Sequence, residues 1–167
     1  FVKGAAQLAA AQDILRICDE VQTGNGRTGK LYGYMHYGVQ PDIVSTAKGL
    51  GGGLPRGATL LGEKVQNVLT PGSHGSTFGG NPVCCAGALS ILHRLDGPLL
   101  QAVQEKSDFI VDTLTGAPGI KSVTGRGRML GVETVRPVAD VICACAAQGV
   151  LVISAKNKVR LLPALDI

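Results

Sequence analysis

Ile43-Val44-Ser45-Thr46-Ala47-Lys48-Gly49-Leu50-Gly51-Gly52-Gly53 decides how this chain is read. Ile43, Val44 and Thr46 are β-branched and suit a buried strand, and the glycines beyond Lys48 forbid regular structure while allowing close approach by other groups. Lys48 is therefore expected near the carboxyl end of a strand, the edge at which ligands bind in open α/β sheets. A lysine held there partly out of water favours its charged form less and can act as an amine nucleophile. The competing reading, a solvated loop lysine, holds for most lysines. The neighbours must decide between the two.

Composition narrows the classes. Of 167 residues 45% are hydrophobic and 17% charged, which predicts a sizeable buried core rather than disorder. Aromatics are scarce at 4%, with no Trp, so a stacking platform for nucleic acid is not expected. The net charge of +4 is scattered rather than clustered, which points to anionic small molecules at most. No apolar run reaches the length of a membrane span. Cys18, Cys84, Cys85, Cys143 and Cys145 have neither zinc-ligand spacing nor the pattern of a disulfide framework. They read as small buried hydrophobes in a reducing, cytoplasmic setting, with no metal.

Outward from the lysine, residues 1–11 carry apolar positions at helical spacing, and Ile14 to Cys18 reads as a short buried strand ending in Asp19-Glu20. Val21 to Gly38 holds too many glycines for a helix and is a long loop. Ala58 to Leu61 reads as a strand and Glu63 to Leu69 as a short helix. Pro71 to Gly80 is a second loop, dense in glycine and hydroxyls. Asn81-Pro82 then opens a helix running to Leu95, and another covers about Pro98 to Leu114. Beyond Gly116 the pattern predicts strands at 120–124, 129–134, 150–154 and 159–162, with a helix at 137–148. The change of grammar places a domain boundary near residues 115–119.

Asp19 and Lys48 both fall at carboxyl ends of strands in what reads as one sheet, so they can converge on one crevice. Pyridoxal phosphate chemistry needs this pair: an amine to link to the cofactor aldehyde, and an acid to keep the pyridine nitrogen protonated. The bland reading of Asp19 is a turn or capping acid.

Asp19-Glu20-Val21-Gln22-Thr23-Gly24, Gly26-Arg27-Thr28-Gly29, Pro41-Asp42, Lys48 with Gly51-Gly52-Gly53, and His74 to Pro82 together resemble the class III (ornithine-type) pyridoxal-phosphate-dependent aminotransferases, in order and across essentially the whole chain. The resemblance implies an α/β, PLP-transferase-like fold (fold type I aminotransferase). Residues 1–116 would form part of the large mixed/parallel-sheet cofactor domain, and residues 117–167 part of a small C-terminal α+β domain. It implies that Lys48 is the Schiff-base lysine and Asp19 the partner of the pyridinium nitrogen. Val21 would pack on the ring and Gln22 would reach its phenolic oxygen. Ser76 and Thr77 match the segment that contacts the cofactor phosphate from the other subunit of a homodimer. Arg160 matches the arginine that grips the substrate α-carboxylate, for which a planar guanidinium is well shaped; Arg126 and Arg128 are expected to be structural or rim residues.

Pyridoxal 5'-phosphate is the implied cofactor and small amino and keto acids the implied substrates. N-acetylornithine with 2-oxoglutarate comes first, and ornithine, succinylornithine or 4-aminobutyrate are alternatives. The family's upstream half, with its own phosphate and specificity residues, is not represented in the matched stretch, so this polypeptide alone is expected to have little transaminase activity. Two readings of other classes stay open. One is a non-catalytic fragment or assembly module. The other is a phosphate-binding P-loop at Gly24 to Lys30, which lacks the Ser or Thr after the lysine.

Overall fold

The computed structural model describes residues 1–167. The chain divides into two compact units: Phe1–Gly26 with Lys30–Asp96, and Arg27–Gly29 with Gly97–Ile167. The units divide at Asp96/Gly97, where the helix that starts at Gly97 packs on the strand after it.

In the first unit, helix α1 (Val2–Ala11) leads to strand β1 (Ile17–Asp19), then to β2 (Ile43–Thr46), β3 (Ala58–Leu61) and helix α2 (Pro82–Arg94). The three strands form one sheet in the order β1-β2-β3. β1 runs parallel to β2 with Ile17 opposite Ile43 and Asp19 opposite Ser45; β3 returns antiparallel, with Thr46 opposite Ala58. The sheet is mixed rather than wholly parallel, since the short 47–57 connection folds β3 back beside its neighbour.

Asp42, buried at the start of β2, holds this register. Its Oδ2 accepts from the Arg16 backbone N–H at 2.8 Å and from Arg16 Nε at 3.2 Å, and the N–H groups of Asp42 and Ile43 donate to the Arg16 carbonyl. The Asp42 carbonyl in turn accepts from Gly62 N–H at 2.8 Å, tying in the exit of β3. The Arg16 amide and guanidinium hold the Asp42 carboxyl below its ordinary range.

Two expectations are corrected. The strand predicted at 14–18 starts only at Ile17, and Ile17 is 67% exposed, because β1 is an edge strand whose one sheet neighbour is β2. The helix predicted at 63–69 is a pair of tight turns, with the N–H groups of Val65 and Gln66 both donating to the Gly62 carbonyl. A segment this short with Asn67 inside it cannot offset the cost of helix nucleation.

α2 begins as its sequence dictates: the Asn81 side chain accepts from the N–H groups of Val83 and Cys84, with proline in the first turn. The helix lies close on the Lys48–Gly51 3-10 turn. A Cβ on Gly87 would sit 2.7 Å from Leu54 Cδ1, and one on Gly52 would sit 2.9 Å from the Ile91 side chain. Glycine at Gly52 is thus required for close approach as well as for its φ of 60°.

The second unit contains α3 (Gly97–Leu114), β4 (Ile120–Arg126), β5 (Met129–Thr134), α4 (Val138–Ala147), β6 (Ile153–Ala155) and β7 (Lys158–Leu161). Its antiparallel sheet has the order β4-β5-β7-β6. The strand expected at 150–154 is the shorter β6. Val103 of α3, fully buried, together with Leu130, Val132 and Val159 supplies its apolar core. Each such side chain contributes about 1.5–3 kcal/mol on burial. No single helix in the chain is long and apolar enough to cross a membrane.

The Gly127 turn between β4 and β5 touches the Arg27–Gly29 segment, and a Cβ there would meet the Arg27 carbonyl oxygen at 2.5 Å with φ at 56°. Gly127→Ala should destabilise the second unit by at least about 2 kcal/mol in urea unfolding; an unchanged midpoint would show that the turn relaxes freely. Asp42→Asn should cost more stability at pH 7 than at pH 3. A depressed carboxyl adds its stabilisation above the ordinary value of about 4 and loses it as pH falls through the lower folded value. An equal gap at both pH values would exclude a charge-linked contribution from this carboxylate.

Candidate active site

Asp19 closes β1, and its Oδ1 accepts from the Val21 backbone N–H at 3.0 Å and from the Ser45 hydroxyl at 3.2 Å. The carboxylate is exposed, but these two donors fix where it stands. Val21 and Gln22, both half-buried, lie in the next turn of the chain. Ser45 lies opposite Asp19 on the neighbouring parallel strand, and Lys48 follows it by three positions, just past the same end of the pair.

Lys48 has φ 49°, a conformation uncommon for any residue with a Cβ. It is exposed, which corrects the expectation that it is partly withdrawn from water. The strand ends at Thr46, and Lys48 opens the 3-10 turn beyond it rather than closing the strand. Neither Lys48 nor Asp19 takes part in the Arg16–Asp42 or the Lys64–Asp13 ion pair.

Sequence reasoning missed three residues that shape this edge. Glu20 is 4% exposed, and its carboxylate accepts from Thr23 Oγ1 at 2.5 Å and from the backbone N–H groups of Gly33 and Tyr34 at 2.9 and 2.8 Å. It gathers the 21–34 loop under the end of β1. Asn25, buried with φ 55°, donates through Nδ2 to Thr46 Oγ1 at 3.1 Å and to the Ala47 carbonyl at 3.0 Å, fixing the peptide immediately before Lys48. Its place between Gly24 and Gly26 is the one local signal that could have found it, since asparagine tolerates the left-handed conformation. Tyr32 is buried and stacks on Tyr34 with ring centroids 5.7 Å apart; burial pushes its phenol above the ordinary value.

The geometry excludes the P-loop reading. Lys30 Nζ donates to the Met35 carbonyl at 3.2 Å, and the chain continues into a 3-10 turn at Gly33–Tyr37 instead of an α-helix whose N-terminus could face phosphates.

Ser76 and Thr77 are exposed in the loop before α2. Ser76 lines a cleft of about 450 Å³ whose walls include neither Asp19 nor Lys48, so this chain does not bring its hydroxyl loop to its own lysine through that cleft.

Arg160 lies on β7 in the second unit, opposite Gly131 and Ile153. Its Nη2 is buried without a hydrogen-bond partner. Arg27 donates through Nη1 to the Pro163 carbonyl at 2.5 Å, and its guanidinium is held below its ordinary value by burial first and then by the charges of Arg128 and Arg160. Arg128 is 2% exposed, so it is a buried residue and not one of the rim. Arg128 and Arg160 line one cleft of about 690 Å³, with Leu151, Leu161 and Leu162 among its apolar walls. A cluster of guanidiniums with buried, unpaired N–H groups is suited to an anion.

The profile of the family described as Aminotransferase class-III matches residues 1–167. An acetylornithine aminotransferase of Haemophilus ducreyi is 48% identical over 169 residues, covering 100% of this chain and 43% of that protein. Among solved structures, the ornithine δ-aminotransferase of Plasmodium falciparum superposes with a TM-score of 0.90 at 35% identity, over 99% of this chain and 46% of its own. The N-acetylornithine aminotransferase of Stenotrophomonas maltophilia does so with a TM-score of 0.88 at 33% identity, over 100% and 46%. The chain thus spans less than half the length of the relatives it matches. These neighbours have the fold type I architecture of pyridoxal-phosphate-dependent aminotransferases, enzymes that are generally dimeric and act on small amino and keto acids. With a family match along its whole length, the chain belongs to the class III aminotransferases.

Proposed function

We propose that the complete protein is a cytoplasmic, homodimeric aminotransferase that moves the terminal amino group of N-acetylornithine to 2-oxoglutarate with the help of pyridoxal phosphate. The observation that carries this reading is the parallel register of β1 and β2, which aligns Asp19 with Ser45 and brings Lys48 to the same sheet edge. An amine free of ion pairs and a carboxylate pinned by two donors fit the two ends of the cofactor ring. When bound, pyridoxal phosphate supplies an aldehyde that links to amines and a protonated ring that absorbs the electron pair of a deprotonated carbon.

In this reading Lys48 would hold the cofactor through its amine, and the same amine would move a proton at the carbon that bears the reacting nitrogen. Asp19 would stand against the pyridine nitrogen and hold a proton there. Val21 would pack against the ring and Gln22 would reach its phenolic oxygen. Ser76 and Thr77 serve the cofactor phosphate of the partner subunit, in keeping with a hydroxyl loop that shares no cleft with its own Lys48. Arg160, with a buried N–H group lacking an acceptor, grips the substrate α-carboxylate. The two half-reactions balance: the donor loses its amine and leaves as an aldehyde, and 2-oxoglutarate gains that amine and becomes glutamate. Relatives named for acetylornithine at 42 to 48% identity support that donor ahead of ornithine, succinylornithine or 4-aminobutyrate.

Lys48→Ala in the complete protein should abolish amino transfer and remove the borohydride-stable pyridoxyl adduct from the peptide containing residue 48; a variant that keeps most of the rate would rule the assignment out. Assayed against the four donors, the complete protein should give the highest kcat/KM with N-acetylornithine. A preference for another donor would move the protein to that specificity without disturbing the role of Lys48.

A further inference from the structure

We propose that Asn25 is a positioning residue for amino transfer: its side-chain amide fixes the backbone from which the Lys48 amine leaves the chain, and so sets how readily that amine links to a carbonyl and moves a proton. The inference rests on the proposed role of Lys48 for its chemistry, and on the geometry around Ala47 for the positioning.

Three local rules are broken within one small cluster. Lys48 has φ 49° and Asn25 φ 55°, both in the left-handed region that residues with a Cβ seldom enter. Asn25 is 7% exposed, and its Oδ1 is buried with no hydrogen-bond partner. A side chain that leaves one end of its amide unsatisfied in the interior costs stability that an aliphatic residue of similar size would not. Departures of this kind gather where a function needs them.

The other end of the amide explains the arrangement. The Ala47 carbonyl can only accept, so the nitrogen of Asn25 must face it, and Nδ2 donates there at 3.0 Å and to Thr46 Oγ1 at 3.1 Å. The Leu50 N–H donates to the same carbonyl at 3.1 Å. One donor from the loop after β1 and one from the turn beyond the lysine therefore hold the peptide plane that joins Ala47 to Lys48. With that plane fixed, the φ of Lys48 sets the direction of its Cα–Cβ bond. A Cβ on Gly49 would lie 3.7 Å from Asn25 Cβ, so the asparagine also lies against the residue that follows the lysine.

Asn25 is itself held too firmly to follow a relaxing lysine. The Gly24 N–H donates to the Glu20 carbonyl at 2.9 Å and the Gly26 N–H to the Leu31 carbonyl at 3.3 Å. A Cβ on Gly24 would meet Tyr32 Cδ1 at 2.9 Å, so the buried Tyr32 ring packs directly on the residue before Asn25. Without the amide, the Lys48 backbone is free to leave the left-handed region, and the amine moves with it. Asn25 thus acts through the backbone and not at the reacting atoms.

The test uses the complete, cofactor-free protein and its Asn25→Gly and Asn25→Asp variants. Glycine keeps the positive φ at no steric cost while deleting the donor, and aspartate keeps the size while putting an oxygen in place of the N–H donor. Each should slow formation of the borohydride-stable pyridoxal phosphate adduct at Lys48, and lower kcat for amino transfer, roughly 10- to 100-fold, as expected when a reacting group is displaced by about an ångström. Affinity for pyridoxamine phosphate, which carries an amine in place of the aldehyde and cannot link to lysine, should be unchanged in both variants. That control separates a misplaced lysine from a damaged pocket. A wild-type rate of adduct formation in either variant overturns the proposal, as does a parallel loss of pyridoxamine phosphate affinity. Absence of any adduct at Lys48 in the wild type would instead sink the role of Lys48 itself.

Discussion

The register between β1 and β2, held by the Arg16–Asp42 contact, is the constraint on which the candidate site depends. Asp42 receives both the amide and the guanidinium of Arg16 and returns a carbonyl to Gly62, so one buried carboxylate fixes where three strands begin or end. In a parallel pair a slip of one residue would turn every side chain of β1 to the other face. Asp19 would then no longer stand beside Ser45, and the acid and the amine would lose their common edge.

On that frame the loop from Val21 to Gly38 acts as a support rather than as a free connection. Glu20 draws in Thr23, Gly33 and Tyr34, while Asn25 holds the peptide just ahead of Lys48. Buried polar groups are expensive unless partnered, and here the partnering is what gives a loop with so many glycines a defined shape. The strained backbone of Lys48 is maintained from both sides: Asn25 fixes the Ala47 carbonyl before it, and α2 packs against the glycine turn after it. Strain of this kind persists where surrounding contacts over-determine it, and it gathers at functional positions.

Positive charge is unevenly distributed over both units. In the second unit burial first, and then the charges of Arg128 and Arg160, hold Arg27 below its ordinary value, and in the first Arg56 lines a cleft without an acid. The modest net charge of the chain hides this, because its acids lie elsewhere. Cations left unpaired by the protein are the natural complement of anionic ligands.

By itself the sequence determined what local chemistry controls. The Asn81-Pro82 helix start, the β-branched run into Lys48 and the glycines that end it each specify their structure within a few residues, and the ordered motifs carried the family. Tertiary structure decided whatever depends on distant partners. It made Ile17 an exposed edge residue and reduced the 63–69 segment to turns. It folded β3 back antiparallel and laid the helix that starts at Gly97 on the strand after it. It also buried Glu20, Asn25 and Arg128, and brought Arg56 and Ser76 to the wall of one cleft. Burial and pairing are set by which segments meet in space, and the energy of such meetings is not written at any one position of the chain.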